Sequence, residues 1–212
     1  MRVDYEEMQL YSKITHIPFD ELAKNYHINN INYYTQTGKE DEWFYKTSPY
    51  HIFDVLKTRD TGIYEIWYDY IKRHVERRSA VFDYGAGIGT LEVLLLKRYP
   101  AAISVYEQNL VCFDFVHWRM ARRGYELSPL LDHYNYIVSL DTLQRLPTES
   151  IASTLGWLFN LGDHLFIYAN SDNRHPLFNE LPFDIEKYAI DKGCKVENFH
   201  GLLDIEVTPH EE

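Results

Sequence analysis

Val81-Phe82-Asp83-Tyr84-Gly85-Ala86-Gly87-Ile88-Gly89-Thr90 is the stretch that decides how this chain folds. Ala80 to Tyr84 is a short apolar run of the kind that forms a buried strand. Three glycines follow at alternate positions. Thr90 to Tyr99 then reads as a helix with Leu91, Leu94 and Leu95 on one face, stopped by Pro100. Glycines at 85, 87 and 89 let the backbone turn tightly and approach a ligand closely. The unpaired N–H groups of the helix that follows point towards the same place.

Outward from this loop the pattern repeats. Ile103 to Tyr106 is a strand ending at Glu107, and Leu110 to Arg123 is a helix capped by Gly124. Tyr125 to Leu130 reads as a short strand broken by Pro129. Tyr134 to Leu140 is a clearer strand ending at Asp141, followed by a helix from Thr148 to about Asn160 and a strand over Leu165 to Ala169. Upstream, Gly62 to Glu76 is an amphipathic helix with Ile63, Ile66, Trp67, Tyr70 and Ile71 at three-four spacing. Downstream, Leu181 to Lys192 is predicted helical, and 195–200 and 202–208 alternate apolar and polar residues and pair around Gly201. Alternating strands and helices give an α/β fold. The expectation is a doubly wound, mostly parallel sheet in three α/β/α layers, with a C-terminal antiparallel hairpin.

The loop spacing separates two ligand classes. A dinucleotide site reads G-x-G-x-x-G, so that a pyrophosphate rests on the helix. Here the glycines read G-x-G-x-G with Asp83 two residues before the first. A fixed negative charge there opposes a pyrophosphate and favours a cationic ligand. An acid at the end of the second strand, Glu107, stands where doubly wound folds hold ribose hydroxyls.

These residues resemble the motifs of class I S-adenosylmethionine-dependent methyltransferases. Residues 81–90 resemble the first motif. Ser104-Val105-Tyr106-Glu107 is similar to the second, whose acid holds the ribose diol, and Ser139 to Pro147 is similar to the fourth-strand motif of members acting on small molecules. The resemblance spans about Gly62 to Thr208 and implies S-adenosylmethionine as cofactor. It implies contacts from Asp83, Tyr84, Gly85, Ala86, Gly87, Gly89, Thr90, Glu107, Gln108, Leu140 and Asp141. Two departures stand out. After the third strand only Asp132 matches the acid that contacts adenine, and Arg145 stands where a histidine is common. No Asn-Pro-Pro-Tyr segment follows the fourth strand, which argues against methylation of adenine or glutamine amide.

Composition narrows the acceptor. The formal net charge is −11, whereas nucleic-acid binders carry a basic footprint. Lys72-Arg73 with Arg77-Arg78, and Arg119 with Arg122-Arg123, lie at predicted helix ends, where cations offset the helix dipole. A small-molecule acceptor is therefore expected, with no nucleic acid. No run of about 18 apolar residues is present to span a membrane, and the acidic stretch Met1 to Glu7 lacks the apolar run of a signal peptide. Two distant cysteines, Cys112 and Cys194, and the spacing of ten histidines give neither a disulfide framework nor a metal site. A cytoplasmic protein is expected, with its oligomeric state open.

Residues 1–61 lie outside the α/β repeat and are rich in tyrosine, with short helices expected over Phe19 to Tyr26 and Tyr50 to Lys57. The resemblance implies an N-terminal helical or irregular lid here, over a cofactor-binding domain of 62–212. Tyr34 and Tyr50 are acceptor-side candidates, since aromatic rings give contact area and hydroxyls give hydrogen bonds. His175, in the polar loop after the fifth strand, is the candidate general base, with Arg174 beside it for a carboxylate. Two other chemistries use the same frame: a cyclase or lyase releasing methylthioadenosine, and a catalytically silent binding subunit. A nicotinamide dehydrogenase fits the glycine spacing least well.

Overall fold

The computed structural model describes residues 2–15, 62–169 and 183–208. The expected helices at Phe19 to Tyr26 and Tyr50 to Lys57 lie outside these residues. The described residues cluster into two compact units. The first contains 2–15, 62–70, 86–94 and 107–126; the second contains 71–85, 95–106, 127–169 and 183–208.

The sheet belongs to the second unit. Its strands are β1 (Ala80–Tyr84), β2 (Ala102–Tyr106), β3 (Tyr134–Leu140), β4 (Gly162–Tyr168), β5 (Lys195–Phe199) and β6 (Leu202–Glu206). They lie in the order β2-β1-β3-β4-β6-β5. β1 pairs parallel to β2 on one side and to β3 on the other, and β3 pairs parallel to β4. The first described strand thus lies inside the sheet, with later strands added on both sides, which makes β1 the switch point where ligands bind in doubly wound folds. The architecture is α/β: a mixed six-stranded sheet with flanking helices.

The hairpin forms as expected, at one end of the sheet. β6 runs antiparallel between β4 and β5, so the antiparallel strand is internal and the edge strand β5 is parallel to the rest. The turn is tight because His200 (φ 53°) and Gly201 (φ 85°) are both left-handed, the geometry that a two-residue hairpin requires. Asn198 Oδ1 accepts the Gly201 N–H at 2.9 Å.

The expected strand over Tyr125 to Leu130 is not formed. Pro129 lacks a donor for a ladder, and the segment instead lies along β2 through two bonds. Ser128 N–H donates to Ile103 O (2.8 Å), and Ser104 Oγ donates to Pro129 O (2.7 Å).

Six α-helices are described. α1 (Arg2–Thr15) and α4 (Leu110–Ala121) belong to the first unit, and α5 (Thr148–Leu161) and α6 (Ile185–Asp191) to the second. α2 (Gly62–His74) and α3 (Thr90–Leu95) have residues in both. No helix was expected at α1, yet it buries Met8 and Tyr11. On α2 the buried face is Tyr64, Trp67, Tyr68 and Ile71, while Ile66 is exposed. The stripe is rotated from the expected one because two tyrosine rings, rather than Ile63 and Ile66, supply the apolar area. α3 ends early in a 3-10 turn, Leu96–Arg98, closed by left-handed Tyr99 before Pro100.

The core of the second unit packs α5 and α6 against one sheet face through Phe82, Tyr134, Ile137, Leu155, Leu158, Leu165 and Ile205. Each such side chain stabilises the fold by about 1.5–3 kcal/mol on burial. α5 passes into β4 without a loop, and a Cβ at the junction, Gly162, would lie 2.8 Å from Ile137.

Candidate functional site

The glycine loop begins in the second unit. Asp83 sits in β1 in register with Val105 and Val138, and it is only 5% exposed. Alternation along the strand turns Asp83 and Tyr84 to opposite faces. The Tyr84 ring stacks on Tyr106 (4.9 Å, 7°) and meets Trp157 of α5 edge-on (6.1 Å). Burial and Tyr106 push its hydroxyl above the ordinary tyrosine value, against a bond to Thr154 that lowers it. Gly85 N–H donates to Tyr106 O at 2.7 Å. Gly85 holds φ 97°, and an added Cβ would collide with Thr142. The glycine is thus demanded by the segment after β3 as well as by the turn.

That segment is itself bent. Leu140 is buried at the end of β3, and Asp141 takes φ 58°, rare for a residue with a side chain. Asp141 N–H donates to Tyr168 O (2.8 Å), and its Oδ1 accepts Gln144 Nε2 (2.6 Å). Thr142 Oγ1 donates to Leu140 O (3.2 Å). These bonds fix the aspartate at the carboxyl end of β3.

The loop continues in the first unit. Ala86 and Ile88 are fully buried, and Gly89 N–H closes the turn on Ala86 O (3.0 Å). Gly87 N–H donates to Glu107 Oε2 at 2.7 Å, and Asn109 N–H donates to Glu107 Oε1 at 2.7 Å. The acid expected to hold a ribose is therefore clamped by the glycine loop on one oxygen and by its own chain on the other. Asn109 is fully buried and caps α4 by accepting the Cys112 N–H (3.0 Å). Gln108, between them, is half-buried. Thr90 opens α3, whose early approach to α4 needs Gly89: a Cβ there would lie 2.3 Å from Val116.

Several residues that sequence reasoning passed over take part. Asn109 had a legible signal, an asparagine just before an apolar helical run. Arg119 had none: it was read as a cation offsetting the dipole at a helix end, yet it is 1% exposed. Its Nη1 donates to Ile88 O (2.6 Å) inside the glycine loop, and its Nε donates to Glu7 Oε2 (2.9 Å). Glu92 on α3 is fully buried. Asp132, the adenine candidate, is exposed, and Cys194 is half-buried. His175, Tyr34 and Tyr50, the candidates for catalysis, and Arg174 lie outside the described residues. Among the described residues no cluster of His, Cys, Asp or Glu could hold a metal ion, and no helix is long and apolar enough to cross a membrane.

No protein-family model matches the chain, and no curated protein matches its sequence. Solved structures do match its fold. It is similar to the magnesium protoporphyrin IX methyltransferase of Synechocystis PCC 6803 with bound S-adenosylmethionine, at 19% identity and TM-score 0.51, over 82% of this chain and 92% of that one. It is similar to an S-adenosylmethionine-dependent methyltransferase of Aquifex aeolicus, at 12% identity and TM-score 0.50, over 82% and 96%. A protein of Pyrococcus horikoshii OT3 matches at 9% identity and TM-score 0.53, over 73% and 91%. The fold is that of the class I S-adenosylmethionine-dependent methyltransferases.

Proposed function

We propose that this chain is an S-adenosylmethionine-dependent methyltransferase acting on a small-molecule acceptor. The observation that carries the reading is the clamp on Glu107, which joins the acid after β2 to the amide of Gly87. A carboxylate so fixed is suited to accept both hydroxyls of a ribose.

The donor set fits the cofactor. Asp83 supplies a buried negative charge for the cationic methionyl portion, and the backbone of Tyr84 to Thr90 is the surface on which that portion would lie. Gln108 and Leu140 are assigned to the adenosine, and Asp141 to a cofactor contact at the carboxyl end of β3. The bound cofactor supplies an electrophilic methyl on a sulfonium. In-line displacement then asks the protein to align the acceptor and exclude water. His175 is assigned as general base for an acceptor that must lose a proton. Tyr34 and Tyr50 are assigned to the acceptor wall, on an N-terminal lid of residues 1–61 over a cofactor domain of 62–212. The net charge of −11 supports a metabolite over a nucleic acid, and two cysteines placed far apart in sequence, with no disulfide framework, are consistent with a reducing cytoplasm.

Calorimetric titration with S-adenosylmethionine and with NAD tests the cofactor, using wild type, Asp83→Ala and Glu107→Ala. Saturable binding of S-adenosylmethionine alone, weakened roughly tenfold or more in both variants, is expected from losing a charge-assisted contact. Wild-type affinity in both variants would remove the site assignment. Methylthioadenosine released without an acceptor would replace transfer by cyclase or lyase chemistry.

A further inference from the structure

The carbonyl of Ile88 stands between two glycines, Gly87 (φ 57°) and Gly89 (φ 71°), both left-handed. That carbonyl belongs to the peptide joining Ile88 to Gly89, and with glycine on its amide side this peptide meets fewer steric limits on its orientation than one between two residues with side chains. A contact from outside the loop holds it: Arg119 Nη1 donates to Ile88 O at 2.6 Å. Rotation of that peptide would also break the bond from Gly89 N–H to Ala86 O.

Arg119 is held in turn by the N-terminal helix. Glu7 Oε2 accepts from Nε (2.9 Å) and lies 2.8 Å from Nη2, the two-pronged geometry that a guanidinium offers and a lysine does not. Arg123 Nη1 completes the group, 2.7 Å from Glu7 Oε1, while donating to Arg119 O at 2.9 Å. Apolar contacts seat the same helix: Met8 is buried, and Tyr11 packs on Phe115 and Trp118 of α4 at 5.1 Å each. A buried guanidinium deprived of its carboxylate is drawn towards water, and leaving its position means releasing Ile88.

We infer that α1 is a positioning element for the glycine loop, acting from Glu7 through Arg119 to the Ile88 carbonyl, so that docking of α1 and binding at the loop strengthen each other. The inference rests on the reading of the loop as the S-adenosylmethionine site. Coupling of this kind is reciprocal: a ligand that needs the ordered loop must tighten α1, and loosening α1 must weaken the ligand.

The test uses the full chain and S-adenosylmethionine as probe. Glu7→Gln and Arg119→Lys are expected to raise Kd roughly tenfold, the scale of one lost charge-assisted hydrogen bond, with unchanged stoichiometry well below the unfolding midpoint. Leu155→Ala, which hollows the core under α5 instead, is expected to lower the midpoint while leaving Kd unchanged, as any merely structural loss would. In the wild type, saturating S-adenosylmethionine is expected to slow hydrogen exchange of the α1 amides, a result that needs no variant to fold. Unchanged Kd in folded Glu7→Gln, or α1 exchange indifferent to bound ligand, overturns this inference and leaves the cofactor reading standing. Failure of the wild type to bind S-adenosylmethionine overturns both.

Discussion

At Gly85 two separate demands meet in one residue. The backbone holds φ 97°, and a Cβ would lie 1.9 Å from Thr142 Oγ1. Gly85→Ala is therefore expected to destabilise the protein by about 2–4 kcal/mol, combining left-handed strain with overpacking. Adding Thr142→Gly removes the collision and not the strain, so the double variant should recover only part of the loss in denaturant unfolding. Complete recovery would show that the conformation itself is unstrained. The spacing of the three glycines was legible in the sequence, but the reason for each was not. All three were expected to serve a tight turn and ligand approach, whereas Thr142 and Val116 also fill the space beside Gly85 and Gly89. Those contacts join residues far apart in the chain, and no local pattern announces them.

At the scale of elements, strands and caps could be read where the information is local. β1, β3 and β4 are apolar runs bounded by turn residues, and Asn109 is a cap by type and position. α1 could not be read in that way. Only a narrow stripe of its fourteen residues is apolar, and its helicity depends on α4, whose Arg119 lies 112 positions from Glu7. The same dependence makes α1 sensitive to acid. Burial alone would push the Glu7 carboxyl up, but Arg123 and Arg119 together hold it below the ordinary value of 4.5. A lowered native value means that the stabilisation is complete above the unfolded value and is lost as pH falls through the native one. Acidification should accordingly release α1 below the usual carboxylate range, read as a change in Trp118 fluorescence when Tyr11 leaves its ring. Glu7→Gln should abolish that transition; if it persists, another carboxylate controls the docking.

The whole molecule adds a second limit on the alkaline side. His164 lies 3.2 Å from buried Asp204, whose carboxylate raises its value above 6.5 against the opposing effect of burial. Its contribution is complete below 6.5 and is lost as pH rises through the native value. Burial likewise raises Tyr11, Tyr84 and Tyr136 above 10, so their contribution persists to that pH and then fades. Chemical-denaturation midpoints followed across pH should be highest between the Glu7 and His164 transitions, and His164→Gln should flatten the decline above neutrality. An unchanged decline would place its origin elsewhere. The sheet order has a different consequence, one for how the molecule assembles. β5 pairs with β6 alone, and β6 is the last strand in sequence. Neighbouring strands joined by a two-residue turn close quickly, whereas docking on β4 brings together distant parts of the chain and is slow. Until β6 arrives, the apolar edge of β4 is an open template for another molecule, so the vulnerable species during folding is the four-stranded sheet waiting for its hairpin.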